Sequence, residues 1–215
     1  MKRILVLGDS LSLPREKPEP CAYDDTWPRL LAQEYVVHQV SIAGGTIRDF
    51  YRQLPYYLSF KPDYVIMQIG IVDCAPRALS QFELMFLEKF SLSRRYILPV
   101  IKKYSVKLRS IRKISYTKPD AFVAILTKIK RLLPTTTFVS IGILPTSEEY
   151  EQIVPGVTES RAFFNTILRR EFGLTFISVD DLDRKGIMSD HIHLNRIGQA
   201  EVYRKLKAFL NSDNA

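Results

Sequence analysis

Strand-like runs alternate with helix-like stretches along this chain, and that alternation constrains the fold more than any other feature. The runs at 4–7, 36–42, 64–69, 137–141 and 174–179 are short and rich in Val, Ile, Leu, Phe and Tyr, as strands buried in a sheet are. Between them, apolar residues at helical spacing mark helices near 27–34, 47–60, 120–133 and 159–172; a last one opens at Asn195, a good cap, and runs to about Leu210. Pro119 and Asp120 read as a helix start, whereas Pro55 shortens the second helix, because an interior proline removes a donor and clashes with the preceding turn. Such alternation specifies an α/β fold: a three-layer α/β/α sandwich on a mainly parallel five-stranded sheet.

The 215 residues suit one domain, spanning 1–215, whose core needs no disulfide or metal support. At 46% hydrophobic and 25% charged, the chain is too apolar for a disordered or low-complexity protein. No apolar run reaches the roughly 20 residues of a membrane-spanning helix. Met1-Lys2-Arg3 imitates the basic head of a signal peptide, but the apolar run behind it stops at Gly8-Asp9 and no small-residue cleavage site follows. A cytoplasmic protein is therefore expected. Cys21 and Cys74 fall in no metal-binding or Cys-x-x-Cys pattern and read as two free thiols.

Residues 78–118 interrupt the alternation. Leu84, Phe86, Leu87, Phe90, then Ile97, Val100, Ile101, Tyr104, Leu108 and Ile111 recur at three- and four-residue spacing, as in one or two amphipathic helices broken near Pro99. The formal charge of +8 is concentrated here, because Lys89 to Lys118 holds ten basic residues and no acidic one. The expectation is a helical insertion that packs an apolar face on the domain or on a second copy and turns a cationic face outward, toward an anionic partner or plain solvent. No nucleic-acid-binding motif accompanies the charge, so nucleic acid is not the expected partner.

The chemistry starts at Gly8-Asp9-Ser10-Leu11-Ser12, directly after the first strand run. Loops leaving the carboxyl ends of parallel strands form the ligand crevice, which puts Ser10 where substrates bind. A serine hydroxyl needs a base to take its proton, and that base needs a carboxylate to orient it. Of three histidines, His38 lies inside a strand pattern, whereas Asp190-His191-Ile192-His193 follows the last strand on the same rim. Asp190 can fold back onto His193 Nδ1 and leave Nε2 for Ser10, with His191 directed elsewhere.

These blocks resemble the first and last motifs of the SGNH, or GDSL-type, esterases, lipases and acyltransferases. Ile42-Ala43-Gly44-Gly45-Thr46 is similar to the second block and Gly70-Ile71-Val72-Asp73 stands where the third reads Gly-x-Asn-Asp. The resemblance implies a flavodoxin-like sheet, a Ser10-His193-Asp190 triad, an oxyanion hole from the Ser10 and Gly44 amides, and no metal or organic cofactor. It also exposes a departure, since Val72 has no donor to replace the asparagine amide. Asp73, Gln68 and Arg77 are the nearby polar groups that could line the site.

Three readings stay open on the sequence. One is a serine esterase or acyltransferase for small O-acyl groups, acetyl on a saccharide among them. Another is a catalytically weakened relative that binds an acylated or glycan ligand. The third is an interaction protein that docks on an anionic surface through its basic insertion. The plainer alternatives are a turn-capping Ser10, a solvated Asp190–His193 pair, and Gly44 and Gly45 as a mere tight turn.

Overall fold

Strands β1 (Arg3–Gly8), β2 (Val36–Ser41), β3 (Tyr64–Gln68), β4 (Thr137–Ile141) and β5 (Phe176–Ile177) form one sheet in the order β2-β1-β3-β4-β5, with every pair parallel. The computed structural model describes residues 1–90 and 92–212. The helices in chain order are α1 (Trp27–Leu31), α2 (Ile47–Gln53), α3 (Ile71–Cys74), α4 (Gln81–Lys89), α5 (Leu98–Lys103), α6 (Ser105–Arg112), α7 (Pro119–Leu132), α8 (Glu148–Ile153), α9 (Val157–Phe172) and α10 (Arg196–Ser212).

Side-chain alternation along β1 builds the three layers. Leu5 and Leu7 point to the face covered by α2, α7 and α9, where Phe50, Phe122, Leu126, Phe164 and Leu168 are buried. Ile4 and Val6 point to the other face, against Trp27 and Leu31 of α1 and Val202, Leu206 and Leu210 of α10. Helix α7 shows why it docks: Phe122, Ile125, Leu126 and Ile129 form a single buried stripe. His38 is exposed on β2 and packs on the rings of Tyr57 and Phe60, at 4.9 and 5.6 Å between centroids.

Three elements are shorter than their patterns suggested, α1 among them, which stops at Leu31 where its pattern ran to 34. Helix α2 ends at Gln53 and continues as a 3-10 helix, Leu54–Phe60, around Pro55. The run 174–179 contributes two paired residues at the sheet edge, because Gly173–Thr175 forms a 3-10 turn ahead of it.

The insertion is helical, but as three helices rather than one or two: α4, α5 and α6. Pro99 does not break them: a π-helical turn, Ser93–Ile97, runs straight into α5, whose first turn holds Pro99, where a proline's missing amide is tolerated. The insertion's apolar face is only partly covered: no residue of α4, α5 or α6 is fully buried, Leu84, Leu87, Ile101 and Leu108 are half-buried, and Phe82, Met85, Phe86, Val100 and Ile111 face solvent. The reason lies in its attachments, which are polar. The Arg77 amide donates to Ile114 O at 2.7 Å, Arg109 Nη1 to Ile153 O at 2.7 Å, and Arg112 Nη1 to Ala78 O at 2.8 Å. The helices are held at their base by guanidinium and backbone bonds, and much of their apolar surface stays exposed.

Candidate active site

The strand order reverses direction between β1 and β3, and a crevice opens there at the carboxyl edge. Ser10 follows β1, Gly44 follows β2, Val72 follows β3, and His193 lies in the loop after β5.

Ser10 opens a 3-10 turn, Ser10–Ser12, capped by Asp9, whose Oδ1 accepts the Leu11 amide at 2.9 Å. Ser12 Oγ donates to Asp9 O at 2.9 Å and lies 2.8 Å from Ser41 Oγ, folding the turn tightly onto the sheet. A Cβ at position 8 would collide with the Ser12 side chain, so only glycine can end β1 here. From the other side, Gln199 of α10 donates to Leu11 O at 2.9 Å and accepts the Trp27 amide at 3.0 Å.

The segment 190–193 closes on itself. Asp190 Oδ1 accepts the amides of Ile192 and His193 at 3.1 and 3.0 Å, which leaves Oδ2 2.6 Å from His193 Nδ1. His193 Nε2 lies 3.0 Å from Ser10 Oγ. One hydrogen-bonded chain therefore runs from carboxylate through imidazole to hydroxyl. His191 takes a left-handed conformation, φ 67°, and its side chain lines the cavity wall beside these groups.

Burial lowers the His193 pKa and the Arg15 charge lowers it further, against the opposing pull of Asp190. Burial by itself would raise the Asp190 carboxyl, but the hydrogen bonds from the His193 amide, the His193 ring and the Ile192 amide outweigh it and hold Asp190 below the usual range. Arg15 Nη2 sits 2.6 Å from His193 Nε2.

Ser10, Gly44, Val72, Arg77 and His193 share one cavity of about 180 Å³, closed by the apolar side chains of Ile71, Ile143 and Leu144. Gly44 has φ 69°, a backbone that favours glycine. Among the described residues, neither the Ser10 nor the Gly44 amide donates a hydrogen bond. Arg77 donates to Val72 O at 3.1 Å and stacks on Tyr116 at 4.6 Å.

Gln68 and Asp73 lie outside this cavity. Gln68 is buried and accepts Trp27 Nε1 at 2.7 Å. Asp73 accepts the Ile47 amide at 3.2 Å and Thr117 Oγ1 at 2.5 Å, and burial pushes its carboxyl up to about 6. It holds the start of α2 and the end of the insertion rather than facing Ser10. Among the described residues no group of three or more His, Cys, Asp or Glu is placed to hold a metal, and Cys21 and Cys74 are buried and unpaired.

Arg15, Gln199 and Asn165 were not legible as site residues. Asn165 clamps the loop after β4 by accepting the Ile143 amide at 2.8 Å and donating to Ile143 O at 3.0 Å. The only signal for Gln199 and Asn165 is a polar residue on a buried helix stripe; for Arg15, in a proline-rich loop, there is none.

The GDSL-like Lipase/Acylhydrolase family model matches residues 6–201. No curated protein sequence matches this chain. Among solved structures, it is similar to the lipase/acylhydrolase from Enterococcus faecalis, at 14% identity and TM-score 0.66 over 99% of this chain and 97% of that one. It is also similar to the psychrotrophic esterase EstA from Pseudoalteromonas sp., in a structure inhibited by monoethylphosphonate, at 17% identity and TM-score 0.58 over 98% of this chain and 100% of that one. At such identities these two establish a shared fold, and the family match extends that across both motif-bearing ends, at 8–12 and 190–193. This chain therefore belongs to the GDSL-like lipase/acylhydrolase family of serine hydrolases.

Proposed function

We propose that the protein is a serine esterase or acyltransferase for small O-acyl groups, with Ser10 as nucleophile, His193 as general base and acid, and Asp190 as its orienting carboxylate. The observation that carries this reading is the chain Asp190 Oδ2 to His193 Nδ1 at 2.6 Å and His193 Nε2 to Ser10 Oγ at 3.0 Å. Ser10 Oγ attacks the ester carbonyl carbon while its proton passes to His193 Nε2. The carbonyl oxygen becomes an oxyanion held by the Ser10 and Gly44 amides, which have no other acceptor among the described residues. Collapse expels the alcohol, which takes the proton from His193 and leaves an acyl-Ser10. Water, or an acceptor alcohol in the transferase case, gives its proton to His193 as it attacks the acyl carbon; the bond to Ser10 Oγ then breaks, and His193 returns the proton to Oγ, releasing the acid or the new ester.

The cavity volume of about 180 Å³ and its apolar wall suit a short acyl chain. A saccharide hydroxyl fits as the alcohol because it would remain outside that wall. The decisive experiment is labelling with a fluorophosphonate, which reacts with an activated serine alone. Labelling of the native chain and none of Ser10→Ala, with acetyl esters turned over faster than octanoyl esters, is the expected result. An unlabelled native chain would overturn it.

A second reading, weakened turnover with ligand binding, is favoured by Val72. It lines the cavity and offers no side-chain donor to an oxyanion. Losing one such donor costs about 100 to 1,000-fold in turnover.

A further inference from the structure

We propose that the helices between 81 and 112 form a docking surface for an anionic lipid bilayer, on which the protein lies without crossing it. Among the described residues, no helix is long and apolar enough to span a membrane, so the surface has to work from one side.

The first observation is apolar exposure. Eleven of the twenty exposed large apolar side chains among the described residues lie between 82 and 111. On α4, Phe82, Met85 and Phe86, continued by Phe90, follow helical spacing and all face solvent, with Phe82 69% exposed. Leu92 is 70% and Ile111 68% exposed. Exposed apolar side chains concentrated in one segment mark a partner site.

The second observation is charge. Of the ten basic residues from Lys89 to Lys118, only Arg112 has a carboxylate partner among the described residues, Glu83 at 2.7 Å. Two of the cations sit over neighbouring rings, Arg95 on Tyr96 at 5.4 Å and Lys103 on Tyr104 at 5.8 Å, and both rings are exposed. Exposed aromatic rings beside Lys and Arg, together with exposed Phe and Leu, are the chemistry of a bilayer surface, where rings and cations meet headgroups and apolar side chains enter the acyl boundary.

The charge selects this occupant over a second copy. A twofold contact would set this face against itself and bring unneutralised cations together. An anionic surface neutralises them instead. The face also adjoins the crevice, because Leu84 and Met85 line a recess that shares Gly44, Val72 and Arg77 with the Ser10 cavity. Docking would therefore bring esters carried at the bilayer surface to the mouth of the site. The docking itself does not depend on the esterase reading.

The test is flotation of the full chain carrying Ser10→Ala with vesicles of phosphatidylglycerol and phosphatidylcholine, against phosphatidylcholine alone, across a salt series. The expected result is at least about tenfold tighter binding to the anionic vesicles, lost as salt rises. Two variants should each weaken binding by about tenfold or more: Lys102→Gln with Lys103→Gln and Lys107→Gln, and Phe82→Ser with Phe86→Ser and Phe90→Ser. The same substitutions in the native-Ser10 background should leave fluorophosphonate labelling and the circular dichroism spectrum unchanged, which separates lost docking from lost folding. No flotation with anionic vesicles, or flotation indifferent to both variants, overturns the proposal. So does concentration-dependent self-association through this face without vesicle binding, which assigns it to a second copy.

Discussion

Arg15 Nη2 lies 2.6 Å from His193 Nε2, on the side of the ring away from Asp190. A guanidinium has donors only, so Nε2 must carry a lone pair and the ring proton must sit on Nδ1, toward Asp190. That is the tautomer a base for Ser10 requires. The same cation opposes protonation of the ring and lowers the His193 pKa beyond the effect of burial. Arg15→Gln removes this opposition, so the His193 pKa rises and the neutral, base-competent ring is lost at higher pH than in the native chain. The acid limb of kcat/KM on a neutral aryl ester should shift toward neutral pH. An unmoved limb would show that Arg15 does not sense the ring in solution.

Val72 stands where the resemblance of the third block, Gly70-Ile71-Val72-Asp73, leads one to expect an asparagine. Because it lines the cavity with Ser10 and Gly44, Val72→Asn adds a donor where the oxyanion forms. Turnover of p-nitrophenyl acetate should rise, by up to about 100-fold if the new amide reaches the oxyanion, with KM changing little. A rate at or below the native one, in a folded variant, would mean that the two amides already complete the site.

The sheet and its flanking helices were legible because strand runs, helical spacing and caps all point the same way, down to Pro55 ending α2 and Asn195 opening α10, where Asn195 Oδ1 accepts the Ile197 amide at 2.9 Å. Ser10, Asp190 and His193 were legible as candidates because motif spacing places them at opposite ends of the chain yet on one rim. The roles of Asp73 and Gln68 were not, since polarity next to a motif says nothing about which way a side chain turns; both turn into the core. Arg15 was invisible for a different reason. It meets His193 across 178 residues of chain, from a loop between Pro14 and Pro20 that carries neither period. The apolar spacing of the insertion marks helices, but helical spacing carries no information on whether the stripe is covered, and here much of it is not.

Gln199 ties two pieces of backbone that would otherwise be left open. Its Nε2 donates to Leu11 O and its Oε1 accepts the Trp27 amide, both buried. Gln199→Leu keeps the volume but strips both partners, each at about 1–3 kcal/mol of desolvation penalty. Stability to urea should therefore fall by about 2–5 kcal/mol, and kcat should fall while the folded variant still labels with fluorophosphonate, because Leu11 follows Ser10 directly. A loss of stability with kcat intact would limit Gln199 to holding the fold.

Asp9 gives the fold a pH dependence of its own. It is fully buried, its Oδ2 has no hydrogen-bond partner among the described residues, and burial, with a smaller push from the Asp73 charge, raises its carboxyl from the ordinary 3.8 to about 7 despite the bond from the Leu11 amide. Between about pH 4 and 7 the folded chain therefore keeps a proton that the unfolded chain has released. Stability falls with rising pH wherever the native state binds more protons, at up to about 1.4 kcal/mol per pH unit for one group. Asp73, raised to about 6, adds a contribution of the same sign. Asp9→Asn retains a carbonyl oxygen for the Leu11 amide and removes the titration. Urea unfolding of native and Asp9→Asn chains at pH 5 and pH 8 measures the difference directly. The native chain should lose more stability over that interval than the variant, so the variant's advantage grows with pH. Parallel losses would show that Asp9 is ionised, or neutral, throughout the range.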